Sequence, residues 1–204
     1  MIRLGIAPIG WTNDDMPELG GDISFEQCIS EMALAGYSGC EVGNKYPVHD
    51  RVYLKHMLDL RGISICNQWF SYEFSTKSFD EVKSNFIKQV DFLSFFGAKV
   101  VGGAETGNSI HGIYDKALNE RKPASDKIWK DLTSGLNKLG KISLNEYGIR
   151  LSYHHHAGTM IESMNEVDRL LNETDDKYVN LNYDCGHFYL AKEDTAKALE
   201  KYIS

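Results

Sequence analysis

Hydrophobic positions along this chain fall into two alternating rhythms. Short apolar runs rich in β-branched residues, the pattern of a parallel strand buried on both faces, alternate with longer segments that carry the apolar stripe of a helix laid on a sheet. A glycine stands between helix and strand at four of these changes. Ala35-Gly36-Tyr37 precedes Gly39-Cys40-Glu41-Val42, and Arg61-Gly62 precedes Ile63-Ser64-Ile65-Cys66. Phe96-Gly97-Ala98 precedes Lys99-Val100-Val101-Gly102, and Tyr147-Gly148 precedes Ile149-Arg150-Leu151. Glycine just past a helix takes the left-handed conformation that closes the last turn. The rhythm predicts strands near 2–9, 38–43, 62–68, 98–103, 149–154 and 179–184, with helices near 24–35, 50–61, 78–96, 125–147, 162–173 and 194–203. Helix starts are marked by Ser24 with Gln27 three residues on, and by the capping-box pair Ser163 and Glu166 ahead of Val167, Leu170 and Leu171.

Repeated βα units imply an α/β fold with a parallel sheet. Six units do not close a TIM-type (β/α)8 barrel, and two more would need about 50 to 80 further residues. The expected architecture is therefore a barrel of which about six units are present, the C-terminal ones missing; an open α/β sheet, or a partner chain that covers the gap, fits the same count. No low-complexity linker interrupts the series, so residues 1–204 read as a single domain.

Composition narrows the function. With 42% apolar and 25% charged residues the chain has the makings of a compact core, and its net charge of -7 is the wrong sign for a phosphate-backbone binder. No nucleic-acid partner is expected. No apolar run approaches the roughly 20 residues of a membrane helix and no cleavage signal opens the chain, so a cytoplasmic protein with no membrane partner is expected. Cys28, Cys40, Cys66 and Cys185 show no C-x-x-C spacing, and buried reduced thiols are expected.

The chemistry concentrates at two strand ends, Leu151-Ser152-Tyr153-His154-His155-His156 and Asn182-Tyr183-Asp184-Cys185-Gly186-His187. Side chains alternate along a strand, so His154 and His156 share one face and His155 the other; Asn182 and Asp184 share a face on the next strand. Gly186 would let the chain turn so that His187 reaches back. Imidazoles and a carboxylate at the ends of consecutive buried strands are expensive unless they do chemistry, and His154, His156, Asp184 and His187 offer mixed nitrogen and oxygen ligands for a divalent metal. Other predicted strand ends add Asn13, Glu41, Asn67 and Gln68 with Trp69, and Glu105 with Asn108 and His111. Such amides, carboxylates and an aromatic face suit a polyol or sugar. Glu41 could equally pair with Lys45. The run Gly102-Gly103-Ala104-Glu105-Thr106-Gly107 lacks both nucleotide-binding glycine patterns, and Ser109 near His111 has no placed carboxylate for a triad.

The segments Gly5-Ile6-Ala7-Pro8-Ile9-Gly10-Trp11-Thr12-Asn13-Asp14-Asp15, Gly39-Cys40-Glu41-Val42-Gly43-Asn44-Lys45-Tyr46-Pro47, Cys66-Asn67-Gln68-Trp69-Phe70, Tyr153-His154-His155-His156 and Tyr183-Asp184-Cys185-Gly186-His187 resemble the inosose dehydratases. Those enzymes belong to the xylose isomerase-like barrel superfamily. The resemblance implies a carbon–oxygen lyase of inositol catabolism that removes water from scyllo-inosose (2-keto-myo-inositol) to give a trihydroxycyclohexane-dione, with Mn²⁺ or Co²⁺ and with glutathione as an accessory. The superfamily holds its metal with a Glu on strand five, an Asp on strand six, a His on strand seven and a Glu on strand eight. Asp184 maps to the Asp, His187 to a histidine that usually touches substrate, and His154 stands where the strand-five Glu is usual. The expected roles are thus metal binding by His154 and Asp184, proton transfer by His156 and His187, and substrate contact by Asn13, Glu41, Asn67, Trp69, Glu105 and His187. An isomerase or epimerase on the same barrel needs the same enediolate. An apurinic endonuclease of this fold is disfavoured by the acidic charge, and a non-catalytic fragment of the barrel is a further alternative. An incomplete barrel exposes strand edges, which favours a homo-oligomer.

Overall fold

The computed structural model describes residues 3–203; Met1 and Ile2, where the first predicted strand begins, and Ser204 lie outside the described residues. The chain divides into two compact units, residues 1–69 with 92–99, and residues 70–91 with 100–204.

In the first unit β1 (Gly5–Ile6) pairs in parallel with β2 (Gly39–Val42), and β2 with β3 (Ser64–Ser71), Gly5 lying opposite Gly39 and Cys40 opposite Ile65. Helices α1 (Phe25–Leu34) and α2 (Arg51–Asp59) follow β1 and β2. Ile29, Met32, Leu54 and Leu58 are buried, one apolar stripe from each helix. The predicted first strand reaches residue 9, but the observed one ends at Ile6 because Pro8 opens a 3-10 turn whose carbonyl accepts from the Trp11 and Thr12 N–H groups. Both N-caps are as chemistry demands: Ser24 Oγ accepts from Gln27 N, and Asp50 Oδ1 from Tyr53 N. The residues of β3 and of α3 (Phe79–Phe95) are shared between the two units.

The second unit carries β4 (Val100–Ala104), α4 (Asp126–Tyr147), β5 (Arg150–His154), α5 (Met164–Glu173), β6 (Val179–Asn182), α6 (Cys185–Leu190) and α7 (Thr195–Tyr202). β4, β5 and β6 pair in parallel and in chain order, with Val101 opposite Leu151 and Leu151 opposite Val179. All three are buried, and the same register sets His154 opposite Asn182 at the polar end. Ser163 and Glu166 form the predicted capping box of α5. Gly36, Gly62, Gly97 and Gly148 all adopt positive φ, as the helix-ending cadence requires. α6 is absent from the sequence prediction, where Gly186 was expected to make a turn. The two exposed thiols, Cys66 and Cys185, correct the expectation that all four are buried. Among the described residues no helix is long and apolar enough to cross a membrane.

Helix α4 contains two interior glycines, each costing about 1 kcal/mol relative to alanine on propensity alone. Close approach explains both. A Cβ at Gly135 would lie 2.4 Å from the Phe74 ring, and one at Gly140 would lie 2.2 Å from the Tyr178 carbonyl oxygen, a backbone atom that cannot move aside without shifting β6. Gly140→Ala is therefore expected to lower stability by about 1–3 kcal/mol despite the better helix former, because overpacking outweighs propensity; urea denaturation would show it, and a gain in stability would contradict this account.

Candidate metal and proton-transfer site

The polar ends of β5 and β6 converge within the second unit. His154, the last residue of β5, places Nε2 3.3 Å from Oδ2 of Asp184, two residues beyond β6. Asp184 is also the N-cap of α6, its Oδ1 accepting from the His187 backbone N–H at 2.9 Å. The three-residue spacing that closes a helix cap thus also delivers the His187 ring to the cluster. Ligand atoms of His154, Asp184 and His187 all lie within 4.8 Å of one another, close enough to hold one metal ion.

Electrostatics leaves Asp184 and His187 in the protonation states a metal ligand needs. The His154 hydrogen bond, helped by the His187 N–H and opposed by burial, holds the Asp184 carboxyl far below the usual carboxylate range. Burial lowers His187, partly offset by the Asp184 charge. An anionic oxygen beside a neutral imidazole is what a divalent cation requires. The donors fit such an ion. Two bonds compete: His154 Nε2 can bond the Asp184 carboxylate only as a donor, and the Ala157 N–H points at His187 Nδ1 at 3.3 Å, so coordination through either nitrogen would displace its bond.

His156 lies past the end of β5. Its ring sits 3.8 Å from His187 and 4.9 Å from His111, centroid to centroid. Its Nδ1 lies 2.9 Å from the Ala157 carbonyl oxygen; a carbonyl only accepts, so Nδ1 carries the proton and Nε2 the lone pair. Burial, then the neighbouring His187, pushes this imidazole down to about 3. His155 faces the other way, fully buried, stacked on Phe188.

Other predicted contacts are placed differently. Glu105, on the loop after β4, is 2% exposed, and its carboxylate accepts from Phe74 N, Ser75 Oγ and Gly107 N, joining its own loop to the segment after β3. It borders a cavity of about 490 Å³, also lined by Ser75, Asn108, Lys116, Lys122 and Met160, that none of His154, Asp184 and His187 lines. In the first unit Asn13 Oδ1 accepts from the Asp15 and Met16 N–H groups, while Asn67 donates to Glu41 at 3.3 Å. Lys45 donates to the Gly20, Gly21 and Ile23 carbonyls, where a pair with Glu41 was the alternative. Trp69 is half-buried on β3.

Sequence reading missed Arg121. Its guanidinium bridges Glu162 at 2.7 Å and Glu166 at 2.8 Å, and Glu162 in turn accepts from Gly158 N. Leu118 and His111 pack against Gly158, whose carbonyl accepts from Ile110 N. The segment after β4 is thereby tied to the Ala157–Gly158 turn that orients His156 and His187. Glu166 was legible as half of a capping box, but nothing in the sequence marks a cation 45 residues away as its partner.

A family model described as a xylose isomerase-like TIM barrel matches residues 15–204. An inosose dehydratase of Geobacillus thermodenitrificans is 52% identical over 204 residues, all of this chain and 68% of its own length, and one of Lacticaseibacillus casei is 50% identical over 202 residues, 98% of this chain and 67% of its own. The chain thus spans about two thirds of these relatives. Among solved structures, a probable 3-DHS dehydratase from Bacillus anthracis superposes with a TM-score of 0.75 at 11% identity, over 98% of this chain and 69% of that one. That likeness shows the shared barrel fold alone.

Arg121→Ala would leave Glu162 and Glu166 without their cation at side chains 16% and 24% exposed, an expected loss of about 1–3 kcal/mol at neutral pH. Burial raises the Glu166 carboxyl, but Ser163 and Glu162 N–H groups and Arg121 outweigh it and hold it below 4.5. A depressed folded value stabilises the fold above the unfolded value and is lost as pH falls through the folded one. Wild type should therefore lose stability on acidification below that range more steeply than Arg121→Ala, as measured by denaturation at a series of pH values.

Proposed function

The chain belongs to the inosose dehydratases of the xylose isomerase-like TIM-barrel family, and on that premise we propose that it removes water from scyllo-inosose to give a trihydroxycyclohexane-dione, using the cluster at the ends of β5 and β6. The observation that carries this reading is the convergence of His154, Asp184 and His187 within 4.8 Å. For the ion we propose Mn²⁺ or Co²⁺, since the donors are one carboxylate and imidazoles with no thiolate among them. A solved structure of a protein named IOLI, titled as binding a zinc atom, superposes with a TM-score of 0.69 at 14% identity, over 95% of this chain and 66% of that one. Four free thiols fit a reducing cytoplasm.

A divalent ion held there supplies Lewis-acid polarisation of the substrate ketone, an effect of several kcal/mol. Asp184 stays ionised throughout and balances positive charge in the site. His156 takes the proton from the carbon beside the ketone at Nε2, the nitrogen that its Ala157 bond leaves with the lone pair. The C–H electrons form the carbon–carbon double bond as the β-hydroxyl departs, and His156 returns its proton to that oxygen, so that water leaves and the imidazole is neutral again; the enol so formed becomes the dione by moving its hydroxyl proton to the former β-carbon. Burial keeps this imidazole neutral, the form in which Nε2 can accept a proton. His187, 3.8 Å away, orients that ring.

Dehydration is assayed by appearance of the ultraviolet-absorbing dione from scyllo-inosose, with a panel of ketoses as the competing substrates of an epimerase. Asp184→Ala and His154→Ala are each expected to weaken Mn²⁺ binding at least about 100-fold and to abolish turnover, and His156→Ala to remove turnover while Mn²⁺ still binds. Near-normal turnover in Asp184→Ala, or epimerisation of a ketose without dehydration of the inosose, would overturn the reading.

A further inference from the structure

His155 is the imidazole that the chemistry above leaves unused. It is the first residue past β5, 0% exposed, its ring stacked 3.8 Å from that of Phe188 on α6. Its Nε2 lies 3.0 Å from the backbone nitrogen of Asp184. A backbone N–H only donates, so Nε2 holds the lone pair and the proton of the neutral ring is on Nδ1. Asp184 is thereby gripped at three points. Its N–H is bound by His155, Oδ1 by the His187 N–H, and Oδ2 faces His154.

Each grip removes a freedom the other two leave. Without the His155 bond the Asp184 peptide could rotate about the bonds that join β6 to α6, and the carboxylate would swing while remaining a helix cap. An apolar ring of the same size would preserve the stack and leave the Asp184 N–H buried without an acceptor, a loss on the scale of an unmade buried hydrogen bond.

We propose that His155 is a positioning residue for the cation site: by accepting the Asp184 backbone N–H from behind, it fixes the carboxylate so that Oδ2 stays turned to His154 while Oδ1 caps α6. This rests on the reading of His154 and Asp184 as ligands. Outer partners that orient a ligating side chain typically change metal affinity 10–100-fold when removed, and here the orienting bond reaches the ligand through its backbone.

The test compares His155→Phe, which keeps the stack and loses the acceptor, with His155→Gln, whose side-chain oxygen can accept the same N–H. Mn²⁺ affinity is read by electron paramagnetic resonance, with thermal unfolding of the metal-free proteins as control. His155→Phe should fold and bind Mn²⁺ about 10–100-fold more weakly, and His155→Gln should recover most of the loss. A folded His155→Phe that binds as wild type does, or a His155→Gln no better than a weakened His155→Phe, would overturn the proposal. Should His155→Phe fail to fold, long-range ¹H–¹⁵N spectra of the unaltered protein decide: the Nδ1-protonated tautomer, with coupling between Nε2 and the Asp184 amide, is expected, and the Nε2-protonated form refutes it. Wild type that binds no Mn²⁺ would sink the ligand assignment of His154 and Asp184, while these spectra would still judge the bond from His155.

Discussion

The Asp184 carboxylate is the constraint on which the functional half of this structure depends. One oxygen ends a strand by starting a helix, and the other confronts an imidazole from the neighbouring strand. Because both bonds act on one group, the local fold and the local chemistry cannot be separated: the helix α6 exists where Asp184 caps it, and that helix carries both His187 and the Phe188 ring that backs His155. The ionised state is self-consistent. Every neighbour that donates to the carboxylate also lowers its proton affinity, and that negative charge partly offsets the burial of His187.

Around this group the remaining parts act as orienting devices. The Ala157–Gly158 turn presents one carbonyl and one N–H to two different imidazoles and so assigns a proton position in each. The turn in turn is held by Glu162, and Glu162 by Arg121. A salt bridge that is only partly exposed thus matters less for its Coulomb energy than for the backbone it immobilises.

What could be read in advance followed from local rules. The alternation of side chains along β5 separated His155 from His154 and His156, and the caps of α1 and α5 were written in Ser24 with Gln27 and Ser163 with Glu166. The glycine cadence located four helix ends. The failures were of two kinds. Short elements were invisible: Asp184 followed by Gly186 reads as a turn, since six residues carry too little periodicity to declare α6. Long-range partners were invisible as well, because Arg121 and Glu105 are polar residues in a polar stretch whose bonds are decided by tertiary approach. Glu105 shows this: residue type and position suggested a substrate contact, and no local rule names the three donors of its own and a neighbouring loop that its carboxylate accepts from.

The register of β5 against β6 has an implication for how this architecture tolerates change in length. His154 and His155 are adjacent, so one serves the front of the sheet and the other its back, and Asp184 meets both because it lies an even two steps past Asn182. Loss or gain of a single residue between Val179 and Asp184 would exchange front for back and present the carboxylate to the wrong imidazole, whereas a paired insertion would preserve the phase. Lineages descended from this scaffold should therefore change length along this strand only by even increments, if at all.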